Sequence, residues 1–418
     1  MQSKINPWSA NQSIDTDKLF TEFGIEHIEP LLPEIKNPPA FLRRGIVIGH
    51  RDYRPIVEAI NKGTPFHVLT GFMPSGHPHL GHLMVMKEVV WHVRQGGNGY
   101  VAVADREAHA VRNISWNKCN EYGREYLTCL YALGYEGKTY YQSTNNRLKD
   151  LAFEAAIKMN FSDMQAIYGF AQDTPLAHAM SVATQVADIL FPQIDAGPAP
   201  TIVPVGIDQD PHIRLTRDIA YKLRFFTVEM REGYVSVRSK NAPEGALAAV
   251  CAAFPGSKKY DMHVDIHGCS LADVDAAVRV IEIEFGGYGF YTPSATYHYF
   301  MQGLQGGKMS SSVPESFIGF CDTEKNVKQK VMGAITGGRM TLEEQKQLGG
   351  EPEKCSVYLL NLFHMLEDDD ELTEICRACK AGELMCGTCK KATYERVKEF
   401  LTDFNERMDE VAHKVDER

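Results

Sequence analysis

Two histidines stand three positions apart in a Gly/Pro-rich stretch, residues 71–82, that follows a strong strand signal. Because positions i and i+3 share one face of a helix, we expect His79 and His82 to face the same side of a helix N-terminus, where backbone N–H groups attract anions. Gly81 lies between them and lets a base or ribose approach the backbone closely. The stretch contains neither GxGxxG nor a Walker lysine, so dehydrogenase and P-loop functions lack their markers.

A second segment of the same character stands far downstream, at residues 306–312, which we call the serine loop. It reads Gly-Gly-Lys-Met-Ser-Ser-Ser. A lysine beside three hydroxyls on a glycine-hinged loop supplies one positive point charge and several donors, which suits a phosphate. The lysine is Lys308, and the hydroxyls belong to Ser310, Ser311 and Ser312.

A third polar stretch, Gly206-Ile207-Asp208-Gln209-Asp210, follows a buried strand. The carboxyl edge of a parallel sheet is where such sheets bind ligands. Gly206 permits close approach, and Asp208 is suited to accept ribose hydroxyls. The plain alternative is a strand-end turn closed by an Asx cap.

The elements that must position these residues alternate between short apolar strands and helices. Strands are predicted at 66–70, 100–105, 139–143 and 201–206, and helices at about 80–94 and 117–133. This alternation predicts an α/β fold with a doubly wound, Rossmann-like parallel sheet.

The chain divides into five predicted segments. Residues 1–65 form an N-terminal extension, and 66–225 the first part of the catalytic domain. Residues 226–285 read as a small α+β insertion with a hairpin around Glu232-Gly233. Residues 286–324 complete the catalytic domain. From Lys325 onward helical periodicity dominates, so 325–418 is predicted to be an all-α C-terminal domain.

Composition narrows the class of protein. The 418 residues are 44 % hydrophobic and 23 % charged, which is ordinary for a globular protein. A net charge of −10 argues against non-specific coating of nucleic acid. No apolar run approaches the roughly 20 residues that span a bilayer, and the start of the chain has no apolar signal region. We therefore expect a cytoplasmic protein with no membrane or DNA partner.

Taken together, the histidine stretch and the serine loop resemble the HIGH and KMSKS signatures of class I aminoacyl-tRNA synthetases. Further stretches are similar to tryptophanyl-tRNA synthetases of the archaeal and eukaryotic type. They are Asn6-Pro7-Trp8, residues 14–19, Phe41-Leu42-Arg43-Arg44-Gly45, residues 206–218 and Leu304-Gln305-Gly306. The similarity extends over most of the chain except residues 226–285.

The resemblance implies activation of L-tryptophan by ATP with Mg²⁺, then transfer to tRNA(Trp). The amino-acid carboxylate is already an ionised nucleophile, so the site needs charge-stabilising donors rather than a general base. The resemblance assigns His79 and His82 to contacts with the phosphates and the transition state, and Lys308 to contact with the departing pyrophosphate. The ATP-binding set is completed by Ser75, Gly81, Gly206, Asp208, Met309, Ser310, Ser311 and Ser312.

An indole pocket needs apolar walls and one acceptor for the ring N–H. Two carboxylates qualify by similarity, Glu107 to eukaryotic members and Asp188 to bacterial ones, and the sequence leaves the choice open. Each also has a plain structural role available, as a helix cap or as a hydrogen-bonded core residue. Gly71, Gln209 and Gln305 complete the expected tryptophan site.

Five cysteines predict a metal in the C-terminal domain. The spacing Cys376-x2-Cys379-x6-Cys386-x2-Cys389 suits tetrahedral Zn²⁺. Alternatively, Cys355, Cys379, Cys386 and Cys389 resemble the ligands of a [4Fe–4S] cluster in some bacterial relatives, which leaves Cys376 spare. Chance clustering is the third possibility. By similarity this domain reads the tRNA anticodon, with phosphate contacts from Lys390, Lys391, Arg396 and Lys398.

Three competing functions remain. A tyrosyl-tRNA synthetase shares the fold, but Leu69 stands where that family has a tyrosine for the substrate phenol. A catalytically silent synthetase paralogue is disfavoured because His79, His82, Asp208 and Lys308 are intact. A nucleotidylyltransferase shares the His-x-Gly-His pattern but usually lacks a helical RNA domain. The resemblance further implies a homodimer.

Overall fold

A seven-stranded sheet organises the larger part of the chain in the computed structural model, which describes residues 20–21, 23–307, 309 and 313–416. Its strand order is β1-β2-β11-β6-β3-β4-β5. The strands are β1 (Glu26–His27), β2 (Val47–Arg51), β3 (His67–Phe72), β4 (Asn98–Val103), β5 (Lys138–Tyr141), β6 (Thr201–Gly206) and β11 (Ser294–His298). Strands β11 to β5 run parallel, which confirms the predicted parallel sheet. Strands β1 and β2 add an antiparallel edge.

Helices cover both faces of this sheet. They are α1 (Ala40–Arg43), α2 (Arg54–Lys62), α3 (Leu80–Arg94), α4 (Asp105–Arg112), α5 (Trp116–Ala132), α6 (Asn146–Ile157), α7 (Phe161–Tyr168), α8 (Leu176–Asp195) and α9 (Asp210–Leu223). Helices α3 and α5 contribute to one buried cluster, and α6, α8 and α9 to a second. The doubly wound prediction is therefore confirmed.

Three predicted strands end at other residues than expected: the third ends at Tyr141 rather than at residue 143, and the other two changes matter for the site. The first strand continues to Phe72, so Gly71 is a strand residue that pairs with Ala102 of β4. The second strand ends at Val103, and Asp105 begins helix α4. Glu107 consequently lies in the first turn of a helix, at the carboxyl edge of the sheet.

Residues 226–285 form a separate layer with a core of their own. Strands β7 (Phe226–Arg231), β8 (Tyr234–Ser239), β9 (Lys258–Lys259) and β10 (His263–Ile266) make a second sheet, covered by α10 (Ala246–Ala253) and α11 (Leu271–Glu284). The β7–β8 hairpin turns at Glu232-Gly233, as predicted, and Gly233 has φ of 85°, which favours glycine.

Downstream of β11 the described chain is helical, as predicted. The helices are α12 (Glu324–Gly333), α13 (Leu342–Leu348), α14 (Ser356–Leu360), α15 (Asp369–Lys380), α16 (Cys386–Val411) and α17 (His413–Asp416). Short 3₁₀ turns occupy Glu29–Glu34, Ile207–Gln209, Pro314–Ser316 and Pro352–Lys354, and a π-helical turn spans Asn361–Met365. Among the described helices, none is both long and apolar enough to cross a membrane.

A fully buried carboxylate, Asp210, ties three of these elements together. Its Oδ1 lies 2.8 Å from Nη2 of Arg51 on β2 and accepts a hydrogen bond of 2.6 Å from Tyr297 on β11. Its Oδ2 lies 2.9 Å from Nε of Arg214, one turn along α9. A buried charge is tolerated only when it is paired and hydrogen-bonded, so these contacts hold the sheet edge to the start of α9.

Replacing Asp210 by asparagine removes the negative charge and leaves Arg51 uncompensated. We expect Asp210→Asn to lower the free energy of unfolding by about 3–5 kcal/mol, measured by urea titration. Asp218→Asn is the matched control, because Asp218 lies on the same helix and makes a half-exposed pair with Lys222 at 2.6 Å. That change is expected to remain below about 1 kcal/mol. Equal losses for the two variants would show that the buried pair has no special role.

Candidate active site

A cavity of about 430 Å³ opens at the carboxyl ends of β3 and β6, the edge at which parallel sheets bind ligands. Predicted nucleotide and amino-acid residues both line it. They are Gly71, His79, Gly81, His82, Glu107, Asp188, Gly206, Asp208, Gln209 and Met309. The three sequence stretches around 71–82, 206–210 and 309 therefore meet in one space.

The two histidines form the N-terminal cap of α3. His79 has an extended backbone, and its Nδ1 accepts a hydrogen bond of 3.1 Å from the N–H of Gly81. In return, Nδ1 of His82 accepts one of 3.2 Å from the N–H of His79. This reciprocal pattern is a capping box built from imidazoles. It fixes the ring centroids 4.1 Å apart.

The cap also determines where the ring protons are. Burial, followed by the nearby His82 and Lys330, lowers the pKa of His79 to about 2, so this ring is neutral at physiological pH. Because its Nδ1 accepts, the proton of the neutral ring is on Nε2. Nε2 of His82 lies 3.1 Å from the hydroxyl of Tyr126. His79 is thus a neutral donor rather than a cation.

Of the serine loop, the structure describes Gly306, Gly307 and Met309. Lys308, Ser310, Ser311 and Ser312 lie outside the described residues, so their predicted roles stay predictions. Met309 lines the cavity, with its sulfur 3.2 Å from where a β-carbon on residue 81 would lie. Beyond the loop, the ring of Phe317 stacks on His79 at 4.5 Å, and the N–H of Leu80 donates to the carbonyl of Ile318 at 3.0 Å. The chain on the far side of the loop is therefore packed on the histidine cap.

Gly206 and its neighbours form the second wall. A β-carbon on residue 206 would lie 2.6 Å from the ring of Phe300, so any side chain here would have to displace that ring. Asp208 and Gln209 follow in a short 3₁₀ turn and both line the cavity. Pro211 in the first turn of α9 and the buried Asp210 hold this turn in place.

Two buried carboxylates, Glu107 and Asp188, line the same cavity within a polar cluster. Glu107 accepts a hydrogen bond of 2.8 Å from the side-chain amide of Gln185. Asp188 accepts one of 2.8 Å from Tyr140 at Oδ1 and one of 2.6 Å from Gln142 at Oδ2. Burial raises the pKa of Asp188 to about 7. Apolar residues of the cavity wall include Leu69, Ile189 and Val203.

Two predicted residues are not brought to the cavity. Ser75 does not line it, and Gln305 is exposed in a turn. Sequence reasoning in turn missed Gln142, Gln185, His212, Phe300 and Phe363, which do line it. Gln142 carried a usable signal, since it lies near the carboxyl end of the predicted third strand, 139–143, and directly follows the observed β5.

The cysteines are neighbours, but they do not form a metal site as placed. Burial and then the adjacent Cys355, Cys386, Cys389 and Cys376 raise the pKa of Cys379 to about 11. Within the described residues, no three His, Cys, Asp or Glu side chains are grouped so as to hold a metal ion. The structure therefore lends no support to the zinc or iron–sulfur prediction.

Gly81 offers a test of the histidine cap. A β-carbon there would lie 2.9 Å from Nδ1 of His79, so Gly81→Ala must displace the ring. We expect the ATP–pyrophosphate exchange that the family resemblance implies to fall about 100-fold, while thermal stability changes little, because the helix propensity of alanine offsets the lost cap. Gly333→Ala is the control, since a β-carbon there meets nothing within 4 Å. Unchanged exchange in Gly81→Ala would contradict the assigned role of the cap.

Comparison with known proteins agrees with this geometry. A family model described as class I tRNA synthetases (W and Y) matches residues 61–243 and 275–402, and its gap falls inside the insertion. The tryptophan–tRNA ligase of Methanosarcina acetivorans is 50 % identical, with 100 % of this chain and 98 % of the relative covered. That of Archaeoglobus fulgidus is 48 % identical over 97 % of both. The solved tryptophanyl-tRNA synthetase of Aeropyrum pernix K1 has a TM-score of 0.76 at 34 % identity, over 98 % of both chains. The chain belongs to the class I tRNA synthetases and, within them, to the tryptophan–tRNA ligases.

Proposed function

We propose that this chain joins L-tryptophan to ATP, forms tryptophanyl-adenylate and transfers the tryptophanyl group to tRNA(Trp). The observation that carries the proposal is that the imidazole cap and an apolar pocket with two carboxylates line one and the same cavity. A nucleotide and an aromatic amino acid bound side by side would meet between them. Leu69 in the pocket wall is buried and apolar, so it offers no partner for a tyrosine phenol.

The first step needs stabilisation of negative charge. The tryptophan carboxylate attacks the α-phosphorus of ATP, a new P–O bond forms, and pyrophosphate leaves with its bonding electrons. The Nε2–H group of His79 donates to a phosphate oxygen, His82 acts on the phosphates as its partner in the cap, and the N-terminus of α3 adds its dipole. Lys308 stabilises the pyrophosphate, and Mg²⁺ accompanies the nucleotide, as is usual for phosphate chemistry. In the second step a tRNA ribose hydroxyl attacks the acyl carbon, and AMP departs.

ATP–pyrophosphate exchange tests this function with each amino acid in turn. We expect exchange with tryptophan alone. Lys308→Ala should slow adenylate formation about 100-fold or more, yet leave the Kd of tryptophan within about twofold, because the lysine acts on the phosphates. Exchange with tyrosine instead of tryptophan would establish the tyrosyl alternative, and exchange with none would establish a silent paralogue.

For the indole N–H we propose Glu107 as the acceptor. Asp188 already receives Tyr140 and Gln142 on its two oxygens, and its raised pKa disfavours the ionised form that accepts best. Asp188 then orients the side chains of Tyr140 and Gln142 through its two hydrogen bonds. Gln209 binds the amino or the carboxylate group of tryptophan.

Matched amide variants separate the two carboxylates. Glu107→Gln should raise the Kd of tryptophan roughly 10- to 100-fold, since a hydrogen bond to a charged acceptor is worth about 1.5–3 kcal/mol. Asp188→Asn should change that Kd less than Glu107→Gln does. The reverse ranking in calorimetric titrations would assign the indole to Asp188.

Asp188 also predicts a pH dependence. Because its folded-state pKa of about 7 lies above the ordinary value, the unfolded chain ionises first. The free energy of unfolding should therefore fall as the pH rises toward 7. In the Asp188→Asn variant, the free energy of unfolding should not show this decrease as the pH rises toward 7.

A homodimer is part of the proposal, supported by an apolar patch on the outer face of α6 and α8. Phe153, Ile157, Leu176 and Met180 are 75 %, 69 %, 80 % and 63 % exposed. Contiguous exposed apolar side chains of this size mark protein interfaces. Sedimentation of the chain measures the association.

The anticodon-reading role of 325–418, the division into five segments and the cytoplasmic location stay predictions. Of the four predicted phosphate contacts, Lys390, Arg396 and Lys398 already bind the carbonyl of Met332, Glu371 and Glu324 respectively. The zinc and iron–sulfur alternatives also stay predictions. Metal analysis of the purified chain separates them.

A further inference from the structure

One wall of the active-site cavity comes from the C-terminal helical region. Helix α14 continues into the π-helical turn Asn361–Met365, closed by a hydrogen bond of 3.2 Å from the N–H of Leu366 to the carbonyl of Asn361. Single π-helical turns occur frequently at functional sites. Phe363, in the middle of this turn, lines the cavity. Among the described lining residues, it alone lies beyond residue 320.

Phe363 lies beside the histidine cap, because the buried ring of the next residue, His364, lies against the backbone of Leu80 at the start of α3. It shares one buried cluster with Leu80, Met84 and Met309, which border the histidine cap. The apolar residues around the two carboxylates, Leu69 and Ile189 among them, belong to the other cluster. A phenyl ring in this position would contact ATP and not tryptophan.

The turn is braced from the N-terminal segment by Arg44, whose side chain is 6 % exposed. The guanidinium of Arg44 donates to the carbonyls of Leu362, Leu366 and Glu367 at 2.8, 2.7 and 3.0 Å. A π turn leaves carbonyls without helical partners, and a buried carbonyl must be satisfied. Arg44 lies within the stretch Phe41–Gly45 and has no other part in the site.

Two further contacts join the turn to its surroundings. The fully buried Asn361 donates to Thr393 of α16 at 2.8 Å. The buried ring of His364 lies against the backbone of Leu80, and Lys87 of α3 approaches the carbonyl of His364 at 3.5 Å. The turn thus touches the cap helix on one side and the long C-terminal helix on the other.

We propose that Phe363 is a positioning residue for ATP in adenylate formation, and that Arg44 acts on the reaction by holding the turn that carries it. This inference rests on the proposed function. The ring lines the cavity beside the histidine cap, Met84 and Met309, and the carbonyl contacts of Arg44 keep it there.

Truncating the ring tests the proposal directly. We expect Phe363→Ala to raise the KM for ATP in tryptophan-dependent exchange about tenfold, the effect of losing one buried aromatic contact. The Kd of tryptophan, measured without ATP, should stay within about twofold. Phe363→Leu keeps an apolar wall and should recover most of the loss. Phe404→Leu changes a fully buried ring that does not line the cavity, and it should leave the KM for ATP unchanged.

Two adjacent arginines, Arg43 and Arg44, provide a matched pair of variants that tests whether Arg44 holds the π-helical turn. Both arginines bind Asp369, Arg43 at 2.8 Å and Arg44 at 2.6 Å. Of the two, Arg44 alone donates hydrogen bonds to carbonyls of the turn. Arg44→Gln should raise the KM for ATP in the same direction as Phe363→Ala, and Arg43→Gln should not.

An unchanged KM for ATP in folded Phe363→Ala, or equal losses of ATP and tryptophan binding, would overturn the inference. Similar increases in the KM for ATP in Arg43→Gln and Arg44→Gln would overturn the role proposed for Arg44. A wild-type chain without any exchange would instead refute the proposed function.

Discussion

The buried charge of Asp210 is the constraint on which the ligand-binding edge depends. An ionised carboxylate with no exposure must be compensated, and the compensation comes from β2, β11 and α9 together. None of these elements can shift without uncovering that charge. The turn 207–209 lies between β6 and this fixed point, so Asp208 and Gln209 are held toward the cavity. The antiparallel strand β2 is consequently part of the catalytic sheet rather than an appendage.

Much of the scaffold could be predicted because its signals are local. The bounds of α3 and β6 agree with the predicted ones, since an apolar pattern and a terminal cap are properties of neighbouring residues. Gly71 and Asp105 were assigned to the wrong side of their strand ends. How far a strand continues depends on pairing with a neighbouring strand, as Gly71 pairs with Ala102, and this pairing is not written in the local pattern.

The site was predictable where a residue lies on a recognisable stretch. His79, His82, Asp208, Glu107 and Asp188 meet as expected. Phe363 could not have been found, because its position depends on an irregular turn whose carbonyls are satisfied by an arginine 318 positions earlier. Gln305 is not at the cavity, and the reason is different. It lies in a similar-looking stretch, but its turn points the side chain to solvent.

The imidazole cap changes how the two histidines should be weighed as evidence of enzymatic activity. Each ring accepts a backbone N–H at the start of α3, so each contributes to forming the helix before any substrate arrives. A pseudoenzyme descended from this fold would remain under selection to keep both rings for folding alone. Retention of the pair in a lineage therefore reports on the integrity of the helix start as much as on chemistry, and residues without such a second task discriminate better between active and inactive descendants.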